Sequence, residues 1–122
     1  MQLAVVLDCA DPVALAPFWA AAVGYRRVSG DGDPYVVLAD PAGRLPELLL
    51  QRVAEPRTAK NRMHLDLRVD DLDGEVARLV AAGARPVGGR VHEDGWVWQV
   101  LADPEGNELC VLRPPGGPPV TR

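Results

Sequence analysis

Two short stretches concentrate the side chains capable of chemistry. The first is HLDLRV at residues 64–69, where strict alternation puts His64, Asp66 and Arg68 on one face of a strand and Leu65, Leu67 and Val69 on the other. Two readings of the polar face stand side by side. Either Asp66 and Arg68 form an internal ion pair, or the face is a patch that orients a substrate carboxylate or hydroxyl, with Arg68 offering a fork of donors. The second stretch is WVWQV at residues 96–100, where Trp96 and Trp98 share a face, and Tyr35 holds the place of Trp98 in an internal repeat. Rings so placed stack on a flat ligand or pack as core or dimer seam. Cys110 reads as a small buried hydrophobe, because no lysine or histidine stands near it in sequence to activate the thiol. Ser29 is the only serine and lies in a Gly/Asp turn, which leaves no serine triad. Gly88-Gly89 lacks the lysine and helix that a phosphate loop requires.

The elements that must position these residues come in two matching sets. VLADPAG at residues 37–43 and VLADPEG at 100–106 share six of seven positions. Each copy is too short to bury a core alone, so the two are expected to share one core and to form a cleft between them. In the first copy residues 2–8 alternate as a strand, and Asp11-Pro12 starts a helix as N-cap and first-turn proline. Leu15, Phe18, Trp19, Ala22 and Val23 give the helix its apolar stripe, and Gly24 closes it. Pro17 predicts a kink or a late start. Strands are expected at 25–28, 35–39 and 48–53, with a turn at 29–34. The second copy repeats the order: a strand at 63–69, then a helix led by Asp70, Asp71 and Asp73, striped by Val76, Leu79 and Val80 and closed by Gly83. Strands follow at 84–91, 95–102 and 109–113, with Glu93-Asp94-Gly95 as a hairpin turn.

The chain of 122 residues is therefore expected to be a single domain, with modules at 2–53 and 62–113, a polar linker at 54–61 and a proline-rich flexible tail at 114–122. A net charge of −4 without a basic stripe argues against a nucleic-acid surface. No segment approaches the ~20 apolar residues of a membrane span, and none near Met1 reads as a signal, so a cytoplasmic protein is expected. Cys9 and Cys110 are expected to be buried reduced thiols.

Strand, helix and three strands used twice, HLDLRVDDLD opening the second copy, DPEGNELCVL closing it and DPVALAPFW at residues 11–19 together resemble the vicinal oxygen chelate superfamily. That superfamily includes glyoxalase I, bleomycin-type resistance proteins and extradiol dioxygenases, and the resemblance is closest to its small glyoxalase-like members. It runs over residues 2–113. It implies an α+β fold of two βαβββ modules forming an incomplete eight-stranded barrel, one helix per module outside, and pairing into a homodimer. It also implies a divalent ion (zinc, nickel, manganese or iron) in members that hold one, bound by side chains on the first and last strands of each module.

Carried over residue by residue, the resemblance puts His64 on the histidine that begins the second module and Gln2 in the corresponding place of the first. A glutamate commonly stands four residues after the glycine of DPxG; that count reaches Cys110, with Glu108 two residues earlier on the same face as a candidate acid–base group. In the first module the same count reaches Glu47, whereas a longer loop brings Leu49 or Gln51 inside. A thiolate suits a softer ion such as zinc. His92 lies beside the hairpin turn, so the two-histidine, one-carboxylate iron set of an extradiol dioxygenase is set aside. Two functions follow from the resemblance. One is a protein that binds a small organic molecule in the cleft and acts as a metal-dependent lyase or isomerase. The other is a metal-free, drug-sequestering binding protein, with Trp98, Tyr35 and Trp96 stacked on the ligand and Gln2, Gln51, Asp66 and Arg68 contacting it.

Overall fold

A computed structural model describes residues 2–29, 35–59, 61 and 63–117. The expected turn at 29–34 lies outside these residues beyond Ser29, as do Lys60, Arg62 and the last five residues of the tail. The chain divides into two compact units, Met1–Thr58 and Ala59–Arg122. Each unit has the order strand, helix, three strands, which makes the chain α+β. No helix of the described residues is long and apolar enough to cross a membrane.

In the first unit β1 (Ala4–Cys9) leads into α1 (Pro12–Val23), followed by β2 (Arg26–Ser29), β3 (Tyr35–Ala39) and β4 (Glu47–Arg52). The sheet order is β1-β4-β3-β2, with β1 parallel to β4 and the other pairs antiparallel. Asp11 caps α1 by accepting a hydrogen bond from the Ala14 N–H, and Gly24 ends it in the left-handed conformation at φ 73°. The helix runs unbroken through Pro17, so the late start does not occur. The proline sits in the middle of the helix on its exposed side, and the carbonyl it fails to engage belongs to Val13, itself exposed to water. Leu15, Phe18, Trp19 and Ala22 recur at helical spacing and bury against β3 and β4, whose inward residues are Val36, Leu38, Leu48 and Leu50. Phe18 and Trp19 meet edge to face with centroids 5.4 Å apart.

The second unit carries β5 (Leu65–Arg68), α2 (Leu72–Ala81), β6 (Arg85–Glu93), β7 (Trp96–Ala102) and β8 (Glu108–Arg113), with sheet order β5-β8-β7-β6. Asp71 caps α2 through the Gly74 N–H; the C-terminal cap is Ala82, with Gly83 one residue beyond, so the two glycines are not equivalent caps. Leu72, Val76 and Leu79 are the buried stripe, and α2 packs on β8, where Leu109 and Val111 are fully buried. The Gly88-Gly89 pair makes a bulge. Val87 pairs with Val100 while Val91 pairs with Trp98, and the Gln99 amide donates to the freed Gly88 carbonyl at 3.0 Å. Arg90 in that bulge reaches Asp73 on α2 at 2.7 Å.

The repeated ADPxG segments are side-chain-closed turns. Asp40 accepts from the Ala42, Arg44 and Leu45 N–H groups. Asp103 accepts from the Glu105 and Asn107 N–H groups and from the Asn107 amide. The backbone bonds from Ala42 and Arg44 hold the Asp40 carboxyl below its ordinary value of 3.8. Because the folded value is the depressed one, the contribution of Asp40 is complete above the unfolded value and is lost as pH falls below 3.8 toward the folded value. Urea unfolding across that acid window is therefore expected to show a shallower pH dependence for Asp40→Asn than for the parent chain; identical slopes would contradict it.

Candidate functional site

Alternation divides each sheet into a helix-covered face and an opposite one. On β8, Leu109, Val111 and Arg113 are buried on the α2 side, and Glu108, Cys110 and Leu112 lie half-buried on the opposite face. Cross-strand register then arranges that opposite face in rows. Asp66 stands level with Cys110, and Cys110 with Val100; Arg68 stands level with Leu112, and Leu112 with Trp98. His64 immediately precedes β5 and joins Asp66 and Arg68 on this face. Trp96 and Trp98 also face this side, each half-buried. The floor is thus apolar, built from Val100, Leu112 and Trp98, and the β5 edge lines it with His64, Asp66 and Arg68.

His64, Asp66 and Cys110 converge. One nitrogen, one carboxylate oxygen and the sulfur lie within 4.8 Å of one another, although 44 residues separate Asp66 from Cys110 in sequence. The contact between His64 Nδ1 and Asp66 Oδ1 is 3.0 Å. A neutral imidazole carrying its proton on Nδ1 donates to Asp66 there, which fixes the ring and leaves Nε2 as its lone-pair nitrogen. Asp66 therefore pairs with His64, not with Arg68. The Arg68 guanidinium instead lies 5.4 Å from the centroid of Trp96. No histidine stands near Cys110 in sequence, but the pairing of β5 with β8 brings His64 close to it in space, and Cys110 is half-buried, unlike the buried Cys9.

The donor set fits a metal ion. Zinc takes imidazole, thiolate and carboxylate, and ligand atoms around a tetrahedral ion at ~2.0–2.3 Å lie within ~4 Å of one another. The His64 and Asp66 side chains, 43% and 45% exposed, have room for the small closure that this requires. Glu108 shares the face one alternate position before Cys110. His92 pairs with Val97 and so points to the other face, where it cannot join an iron triad with His64.

The first unit holds Gln2, Tyr35, Glu47 and Gln51, and none of them repeats the cluster. Gln2 precedes β1 and is exposed. Val37 and Val100, the first residues of the two VLADPxG copies, pair with Leu49 and Cys110, and these in turn pair with Val6 and Asp66. By that correspondence Ala4, not Gln2, occupies the place of His64, and Leu49 occupies that of Cys110. Glu47, Leu49 and Gln51 alternate with buried Leu48 and Leu50, so all three share the face opposite α1. Tyr35 pairs with Gln51 on that face and is 40% exposed. Sequence reasoning missed that Asp66 belongs with His64 and Cys110, and that Val100 and Leu112 make the floor. Their alternation was visible, but the register joining the strands was not.

The family model for the glyoxalase-like domain matches residues 4–112. No curated protein matches the chain. Among solved structures, a glyoxalase/bleomycin resistance protein/dioxygenase family enzyme from Burkholderia phytofirmans PsJN is similar with a TM-score of 0.71 at 22% identity, over 89% of this chain and 94% of that one. A glyoxalase/bleomycin resistance protein/dioxygenase from Nocardioides gives 0.74 at 16% identity, over 100% and 89%. TioX from Micromonospora sp. ML1 gives 0.64 at 23%, over 93% and 98%. These likenesses establish the fold, and the match over nearly all of the chain establishes the family. The chain belongs to the glyoxalase-like domain family, within the vicinal oxygen chelate superfamily that its repeated modules resemble.

Proposed function

We propose that this protein binds a small organic molecule on the face of β5–β8 opposite α2, and acts on it as a zinc-dependent lyase or isomerase. The observation that supports this reading is the convergence of His64, Asp66 and Cys110 within 4.8 Å. His64 and Cys110 would hold the ion, with Asp66 as a further ligand or as the group that orients the imidazole. A bound zinc would supply Lewis acidity toward a substrate oxygen. The chain's own residues do the rest: Val100, Leu112 and Trp98 keep water from one side of the substrate, and Glu108 is the candidate carboxylate for proton transfer. Family membership also supports a cytoplasmic homodimer.

Elemental analysis and calorimetric titration of tag-free protein with zinc, nickel, manganese and iron test the reading. Close to one zinc per chain, bound in preference to manganese, is expected from a set that includes sulfur. No stoichiometric metal, either as purified or after titration, would sink it.

A metal-free binding protein is the second reading, and one observation favours it. Ala4 and Leu49, at the first unit's counterparts of His64 and Cys110, offer no ligand atoms. In that case Trp96 and Trp98 hold a planar compound by stacking, and their fluorescence is quenched by planar aromatics in protein stripped of metal.

A further inference from the structure

We propose that Arg68 makes the face of β5–β8 selective for a planar carboxylic acid whose second oxygen function lies across a single ring. This rests on the small-molecule reading above and names the class of ligand. Among the described residues the only partner of Arg68 is the ring of Trp96, with the guanidinium carbon 5.4 Å from its centroid. Arg68 is exposed and forms no ion pair there. Stacking on an aromatic face fixes a guanidinium without consuming the N–H groups at its edge, so the fork stays available to a carboxylate.

The neighbouring charges are compatible with that choice. Asp66, the carboxylate closest to Arg68 along β5, is engaged by His64 at 3.0 Å. Glu93 is level with Trp96 on β6, which is separated from β5 by both β8 and β7. Leu112 and Trp98, in the same row as Arg68, offer an apolar floor for a ring. The next row carries Asp66 and Cys110, with His64 beside them. Alternate residues on a strand are ~7 Å apart, and Trp96 lies past Trp98 on the side away from Val100, so the guanidinium seated on it stands more than ~7 Å from the cluster, a gap that one para-substituted benzene ring spans with a contact at each end. A ligand of that length places its carboxylate on Arg68, its ring on Leu112 and Trp98, and its distal oxygen at the cluster.

Calorimetric titration of the purified chain with 4-hydroxybenzoate, 4-hydroxybenzamide and 2-hydroxybenzoate tests this, alongside Arg68→Gln and Arg68→Lys. The parent chain is expected to bind 4-hydroxybenzoate about tenfold more tightly than the amide, which loses the charge-assisted fork, and than the ortho isomer, which keeps the carboxylate but cannot bring its second oxygen to the cluster. In Arg68→Gln the preference for acid over amide should collapse to about twofold with amide affinity unchanged, and Arg68→Lys should recover only part of it. Equal binding of acid and amide by the parent chain, or a preference that survives Arg68→Gln, overturns the role of Arg68 and leaves small-molecule binding intact. Binding of none of the three, nor of neutral planar aromatics, overturns both. Circular dichroism of the variants confirms folding, which an exposed side chain is not expected to disturb.

Discussion

A His64→Ala chain is expected to bind zinc at least about a hundredfold more weakly than the parent, since loss of even an outer-shell partner costs ~10–100-fold and His64 is placed to be a direct ligand. Cys110→Ser is expected to do the same, because a serine hydroxyl does not ionise as a thiol does and is a poor ligand for zinc. Asp66→Asn separates the two roles left to Asp66. A carboxylate that only orients the ring through Nδ1 is replaceable by an amide oxygen at a cost of about tenfold, whereas a directly bound carboxylate costs more. Glu47→Gln serves as the control. Glu47 stands level with Ala4 on the first unit's sheet, with no histidine or cysteine on either side of it in that row. Zinc calorimetry on the four variants reads all of this without any assay of activity. Undiminished affinity in both His64→Ala and Cys110→Ser would remove the cluster from consideration as a metal centre. Because the His64 side chain is 43% exposed, its loss is expected to leave the melting temperature nearly unchanged, so weakened binding would not reflect unfolding.

The second large effect is on stability. Asp103→Ala is expected to lower the free energy of unfolding by ~2–4 kcal/mol and the melting temperature by roughly 10 °C. Asp103 is 1% exposed and accepts from the Glu105 N–H at 2.9 Å, the Asn107 N–H at 2.8 Å and the Asn107 amide at 3.0 Å. Alanine leaves the Asn107 donors buried, where neither water nor another acceptor replaces the carboxylate. Asp40, its counterpart in the repeat, makes three comparable bonds in an exposed turn, where water takes over the donors. Asp40→Ala is thus expected to cost clearly less. Urea unfolding of the two variants makes the comparison, and equal losses would show that burial is not what distinguishes the two turns.

Much of this organisation is legible in local pattern. The alternation in HLDLRV places His64, Asp66 and Arg68 together, and the same rule places Trp96 with Trp98 and Glu108 with Cys110, as their strands show. Asp11 and Asp71 are recognisable as helix caps because a carboxylate before an apolar stripe satisfies the first free N–H groups. The Asp–Pro–x–Gly turns announce where the second strand of each hairpin begins. Partner choice is less legible. Asp66 next to Arg68 in pattern reads as an ion pair, yet the structure gives Asp66 to His64 and Arg68 to Trp96.

The reason lies in the period of a strand. A shift of two residues keeps every side chain on its face, so the hydrophobic pattern cannot distinguish Gln2 from Ala4 as the counterpart of His64, nor Glu47 from Leu49 or Gln51 as that of Cys110. Only the hydrogen-bonded register makes that choice: the repeat-matched Val37 and Val100 pair with Leu49 and Cys110, and β1 and β5 are then set level with them. The sequence by itself determined the order of elements, their faces and their caps, because those depend on neighbours within a few residues. The tertiary structure alone decided that a thiol near the end of the chain meets a histidine and a carboxylate from the start of the second unit. That contact is set by which strands pair and in what register, and no local periodicity encodes it.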